Sequence, residues 1–356
     1  MYLQALANCV PPNGYSQLEV WEAIRESAPV RQLKERSQRL LEKVLVKSEG
    51  MAQRHFALND LEFFMQAGPQ ELNEAFEREA PKLGARALSQ ALEQSGLRAT
   101  DLDALLVCTC TGYLCPGLSS FVAEQLGLRA ETYLQDLVGL GCGAAIPALR
   151  SASHITAAQP EAKVAVLAVE ICSACFYLDN DVGVIVSFCL FGDGASASIW
   201  TGQPTLPGHG LNALTGNGAL KAGDFDTLHV PQNRQFLRFE NFEGKLRNRL
   251  HRSVPEHAGE AVATLFNRLN GTRETIDQVI AHSGGPDVIA ALESVLPGHR
   301  LGPTASVLRN FGNMSSPSVM FALDDHLKQQ KANGNHGPLW LTAFGAGFAA
   351  HSCSLQ

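Results

Sequence analysis

Some runs in this chain are apolar at every position. "ALLVC" at 104–108 and "VAVLAV" at 164–169 carry no polar alternate, which predicts strands buried in the interior. The stretches between them keep helical spacing. "PQELNEAFEREAPKLGARALSQALEQSG" predicts one long helix ending at Gly96, and "PGLSSFVAEQLGL" a shorter one. Leu18 to Lys47 predicts a helix with charges spread through it, broken near its middle by Pro29. "SFCLFGDGASASIW" predicts a pair of strands around a tight "GDG" turn.

The second part of the chain repeats this grammar. "TIDQVIAHSGGP" runs from strand into glycine turn, like "DLDALLVCTCTG". A glycine-led helix start follows in each: "GLGCGAAIPALRSA" with Pro147, then "NFGNMSSPSVMFAL" with Pro317. A buried strand closes each unit, "KVAVLAVE" or "PLWLTAFGAG". Strand, helix and strand, twice over, predict a duplicated α/β fold. The halves are placed at 1–205 and 206–356.

Composition narrows the class. The chain has 356 residues, 45% hydrophobic and 18% charged, enough for a large core. The net charge of −7 gives no chain-wide basic field for nucleic acid. The start lacks a charged region followed by a long apolar core, so no signal peptide is expected. No run approaches the length of a spanning helix. A cytoplasmic protein is expected. Nine cysteines, an odd number in a long chain, argue against a secreted disulfide framework. "CTC" and "CSAC" suggest zinc half-sites, but both extend strand-like runs with no histidine-rich partner nearby. Buried thiols are the simpler reading, and no metal is expected.

Cys142 stands apart because it sits between Gly141 and Gly143 where an apolar run turns helical. Glycines admit close backbone approach and an unusual φ, and a helix start favours thiolate over thiol. The setting suits a nucleophile, though a small core cysteine at a tight packing point also fits. The matching place in the second unit is Asn313, and the loop after its first strand supplies His282. If the halves pack face to face, these three converge. Imidazole and carboxamide donors aimed at one oxygen would make an oxyanion hole.

"LGCGAA", "LFGDGASA", "AHSGGPDVI" and "FGNMSSPSVMF", in that order, resemble the type III polyketide synthases. These are the chalcone- and stilbene-synthase-like enzymes and their bacterial relatives. The similarity runs from about Arg31 to the end. It implies a five-layered αβαβα thiolase-like fold in a homodimer, with an acyl-CoA starter and malonyl-CoA as substrates and no cofactor. Cys142 would carry the acyl chain as a thioester, and His282 and Asn313 would hold the thioester oxygen of malonyl-CoA as it loses CO₂. Phe191 matches a gatekeeper aromatic; by itself it reads equally as a core side chain. Asp193 reads as a turn-stabilising residue. Arg36, Arg39 and Lys43 share one helix face. That is ordinarily a solvated face, and the resemblance makes it a grip for CoA phosphates.

The resemblance also gives Cys110, Glu170 and Ser315 as a network governing ring closure, with a thiol where a hydroxyl is common. Cys172 and Cys175 would line the cavity, and Cys115 would reach across the dimer. "AFGAGFAAHS" resembles the family's cyclisation-pocket loop without its usual proline. Two other readings stay open: a ketoacyl synthase making a single condensation, and a non-catalytic binder of CoA esters.

Overall fold

Alternate residues of the two fully apolar strands face different cores. Leu105 and Val107, with Ala165, Leu167 and Val169, pack on one side of their sheet. Leu106 and Cys108, with Val164, Val166 and Ala168, pack on the other. A strand buried on both faces has no position left for a polar side chain, hence the unbroken runs. Each fully buried Leu or Val side chain stabilises the fold by about 1.5–3 kcal/mol relative to exposure.

The structure is a computed structural model and describes residues 1–47, 50–58, 60–204, 220–269, 273–331 and 337–356. Its five-stranded sheet runs in the order Tyr2–Cys9, Gly194–Thr201, Val164–Glu170, Ala104–Cys108, Tyr133–Leu137. The first two pairings are antiparallel and the last two parallel. A four-stranded sheet runs Ala222–His229, Ala349–Leu355, Leu339–Gly345, Gln278–Ala281. Its pairings are antiparallel, antiparallel, parallel, the same sequence of directions. The expected boundary at 205/206 lies outside the described residues.

Between the sheets lie two helices, Ala145–Ala158 and Ser318–Lys331, whose Ile146, Leu149, Val319 and Phe321 fill the shared core. The outer face of the first sheet is covered by the Pro69–Ser95 helix and the Leu118–Leu126 helix. Helices Val254–Asn267 and Pro286–Val295 cover the outer face of the second. The result is five layers, helix–sheet–helix–sheet–helix. The long outer helix stops at Gly96, which caps it in the left-handed region at φ 67°. Among the described residues no helix is long and apolar enough to cross a membrane.

Two expectations need correction. Pro29 does not break a helix. The stretch holds three: Gln17–Ile24, Ala28–Arg31 and Glu35–Lys47. Pro29 sits at the start of the middle one, where the missing N–H costs nothing. "SFCL" is not a strand either, but the last turn of a helix, Val182–Leu190. Asp181 caps that helix by accepting from the N–H groups of Gly183 and Val184. Only Gly194–Thr201 of that motif is a strand.

Candidate active site

Cys142 occupies a short 3-10 turn, Gly141–Gly143, that leads into the Ala145–Ala158 helix. Its glycines are needed for protein contacts. Gly141 has φ 59°, and a Cβ there would stand 3.0 Å from the Ala346 nitrogen. A Cβ on Gly345 would stand 2.5 Å from the Leu140 oxygen and 2.6 Å from the Gly143 nitrogen. The Leu339–Gly345 strand of the second half thus presses its end onto the turn. That strand also accepts the His282 N–H through Thr342, at 2.9 Å, as the chain leaves Gln278–Ala281. Asn313 lies between Gly312, at φ 72°, and Met314, with Ser315 left-handed at φ 59°. It joins Phe191 in a parallel bridge: the Asn313 N–H donates to Leu190 oxygen at 2.9 Å, and Gly192 N–H to Asn313 oxygen at 3.0 Å.

Cys142, Phe191, His282 and Asn313 line one cavity of about 450 Å³. Val44, His251 and Arg252 also line it, the last two exposed. A second cavity of about 660 Å³ is lined by Thr109, Cys110, Tyr113, Arg238, Ala346 and Gly347 among others. Ser315 stands between the two. Its hydroxyl donates to the Cys142 sulfur at 3.2 Å and lies 3.1 Å from the Cys110 sulfur.

Burial sets the electrostatics. It pushes the Cys142 thiol up to about 12, against a smaller lowering by the Ser315 hydroxyl. It pushes the His282 imidazole down to about 3. Desolvation is the largest influence on the Cys142 thiol and outweighs the lowering by the Ser315 hydroxyl and the turn's backbone, opposite in direction to the expectation from a helix start. Among the described residues His282 Nδ1 has no hydrogen-bond partner. Its ring meets Phe344 edge-on at 5.2 Å. The Asn313 amide is fixed by donating Nδ2–H to Gly284 oxygen at 2.8 Å and accepting the Ser315 N–H at 2.8 Å. One amide N–H remains for a ligand.

The expected ring-closure network divides in two. Glu170 accepts from the N–H groups of Cys110 and Thr111, and from the hydroxyls of Thr109, Thr111 and Ser316. Ser316, rather than Ser315, is its serine partner; about the left-handed turn the two serines point different ways. Burial raises Glu170 above the usual carboxylate range. Cys172 and Cys175 sit in a turn behind the site, where the Cys175 thiol donates to Thr111 oxygen at 3.0 Å. Neither is among the lining residues of the two cavities, nor is Cys115, which is exposed. Asp193 is buried and accepts from Ala57 N–H, Ser173 N–H and the Ser173 hydroxyl, a structural set. All nine cysteines are free thiols.

Arg36, Arg39 and Lys43 are exposed on the Glu35–Lys47 helix, whose Ser37, Leu41 and Leu45 face inward. Arg39 is paired with Glu35. The same helix reaches the first cavity at Val44. Sequence reasoning passed over Arg54 and Gln17, which lie buried behind Phe191. A lone arginine in "QRHFAL" offers no periodic or motif signal.

The family profile described as FAE1/type III polyketide synthase-like protein matches residues 2–270. The C-terminal domain profile of chalcone and stilbene synthases matches 227–355. A 3,5-dihydroxyphenylacetyl-CoA synthase of Streptomyces toyocaensis is 33% identical over 260 residues, covering 70% of this chain and 65% of its own length. A 1,3,6,8-tetrahydroxynaphthalene synthase of Streptomyces coelicolor is 27% identical over 86% of this chain and 80% of its own. The crystal structure of tetrahydroxynaphthalene synthase from Streptomyces coelicolor A3(2) matches with a TM-score of 0.84 at 23% identity, covering 100% of this chain and 99% of that one. This likeness carries the fold. With a profile over most of its length and a relative one third identical, the chain belongs to the type III polyketide synthase family.

Proposed function

We propose that this chain catalyses decarboxylative condensation of malonyl-CoA onto an acyl chain held on Cys142, repeats it, and closes the product into a ring. The carrying observation is that Cys142, His282, Asn313 and Phe191 line one cavity. In loading, the Cys142 proton passes to His282 as sulfur attacks the starter thioester and CoA thiolate leaves. Malonyl-CoA then enters with its thioester oxygen facing the His282 and free Asn313 N–H donors. Its carboxylate meets the apolar Phe191 ring, an environment that favours neutral CO₂ over the anion. The electron pair released by C–C cleavage forms an enolate, which the two donors stabilise. The enolate carbon attacks the acyl-Cys142 carbonyl, expelling the thiolate and leaving an extended chain on CoA. Arg36, Arg39 and Lys43 hold the CoA phosphates outside. The second cavity houses the growing chain, with Cys110 in its wall and Ser315 between it and the Cys142 sulfur. Relatives named for dihydroxyphenylacetyl and tetrahydroxynaphthalene products support closure to a hydroxylated aromatic ring. We also propose a homodimer.

Radiolabelled malonyl-CoA with a panel of acyl-CoAs tests this. Elongation is expected in the wild type and lost in Cys142→Ala; elongation by that variant sinks the nucleophile assignment. Cys142→Gln is expected to keep releasing CO₂ from malonyl-CoA, because His282 and Asn313 remain. The single-condensation reading predicts an open-chain β-ketoacyl product. The 660 Å³ cavity beside the nucleophile favours the ring-forming one, and product masses separate them.

A further inference from the structure

The helix Val182–Leu190 ends against Phe191, and its last carbonyls need partners. Each has one. Phe188 and Phe191 oxygens accept from Arg54 Nη1, at 2.6 and 2.8 Å. Cys189 oxygen accepts from Gln17 Nε2 at 2.9 Å. Leu190 oxygen accepts the Asn313 N–H at 2.9 Å. Arg54 and Gln17 are themselves joined, Nε–H to Oε1, at 2.8 Å.

Arg54 is fully buried, which is expensive for a cation. Among the described residues no carboxylate forms an ion pair with it. Its charge is met by the negative end of the helix, by the nearby Asp193 carboxylate and by the Phe56 ring, 5.0 Å away. Its stem also lies against the Asn313 loop: a Cβ on Gly312 would stand 2.8 Å from Arg54 Cγ and 2.8 Å from Leu190 oxygen. One arginine therefore holds the peptide of Phe191 through its guanidinium and borders the turn that presents Asn313 through its stem. Neither contact reaches Cys142, which sits on a different element.

We infer that Arg54, oriented by Gln17, is a positioning residue for the decarboxylating half of the reaction, fixing Phe191 and Asn313 relative to each other without serving the nucleophile. The inference rests on the functional reading above. It calls for a split that general loosening would not produce: malonyl-CoA decarboxylation falls while acylation of Cys142 persists.

The test compares Arg54→Lys with wild type in two assays, CO₂ release from malonyl-CoA and acylation of Cys142 by an acyl-CoA followed by intact mass, alongside thermal melting. Lysine keeps the charge and stem but loses the fork. At least a tenfold lower decarboxylation rate is expected, with acylation within threefold of wild type. Unchanged decarboxylation overturns the inference, and so does an equal fall in both assays with an intact melt. If Arg54→Lys does not fold, Gln17→Ala is read by the same two assays and the same criteria. A wild type that neither acylates nor decarboxylates instead overturns the underlying reading.

Discussion

Cys142 and His282 each lose by becoming charged alone, since burial pushes the thiol up to about 12 and the imidazole down to about 3. A proton passed from one to the other creates both charges together, and each offsets part of the other's desolvation. On the proposed mechanism, activation then belongs to the pair. His282→Ala is expected to slow iodoacetamide alkylation of Cys142 at pH 7 by at least tenfold and to move its pH profile toward that of an isolated buried thiol. Alkylation at the wild-type rate would show that His282 plays no part. The imidazole has a second consequence. Its folded pKa lies below the usual 6.5, so between about pH 6.5 and 3 the unfolded chain holds a proton that the native chain does not. Stability is therefore lost as pH falls through that window, by up to about 1.4 kcal/mol per pH unit from this group. His351, pushed to about 4 by burial, acts in the same direction. Urea unfolding at pH 7, 6 and 5 should show a shallower decline for His282→Gln than for wild type; parallel declines count against it. Cys142 and His282 were legible because each sits beside a glycine-marked turn in a repeated order. Arg54 was not, since its role lies in carbonyls contributed by a helix far away in sequence.

At the scale of elements, Ala104–Cys108 and Val164–Glu170 were legible because double-sided burial removes nearly every polar alternate, whereas Tyr2–Cys9 and Ala222–His229 carry polar residues and were not read as strands. The sequence misled at 187–190. The Val182–Leu190 helix is almost wholly apolar, β-branched at Val182, Val184, Ile185 and Val186, and buried on most of its surface. Periodicity is silent there, and the tight "GDG" turn just after "SFCL" pointed to a strand pair. The deciding signal was the Asp181 cap. Contact between halves was equally hidden. The glycines around Cys142 read as room for a ligand, yet what they admit is the end of the Leu339–Gly345 strand. Gly345→Ala places a methyl 2.5 Å from the Leu140 oxygen, where the neighbour is backbone and cannot rotate away. It is expected to cost about 1–3 kcal/mol of stability, the usual range for overpacking, and to lower Cys142 acylation at least tenfold. A variant that melts and acylates like wild type removes this strand from the positioning of the nucleophile.

At the scale of the molecule, the two sheets differ by one strand. The first carries Tyr133–Leu137 at its edge, with no counterpart in the described residues of the second. The duplicated grammar foretold Ala104–Cys108, Val164–Glu170, Gln278–Ala281 and Leu339–Gly345, and left this one out, as it did Tyr2–Cys9, Ala222–His229 and Ala349–Leu355. Its outward side is apolar: Tyr133 is 55% exposed, Leu134 37%, and Val138, just beyond, 49%. Tyr113, 75% exposed, lines the second cavity together with Val138. An unpaired edge with apolar side chains is a surface that folded proteins cover. A second copy seated there would pair the edge and wall the larger cavity in one contact, which would give the proposed homodimer a chemical purpose: keeping water and solvent-exposed chain ends away from a reactive intermediate. Light scattering on wild type is expected to give twice the 38.2 kDa of one chain. Leu134→Arg is expected to give a single chain. If the cavity needs the second copy, that variant should still decarboxylate malonyl-CoA, since His282 and Asn313 are untouched, while its ring-closed product falls at least tenfold. A wild type that stays at 38.2 kDa at micromolar concentration, or a monomeric Leu134→Arg that cyclises normally, would mean one copy completes the chamber alone.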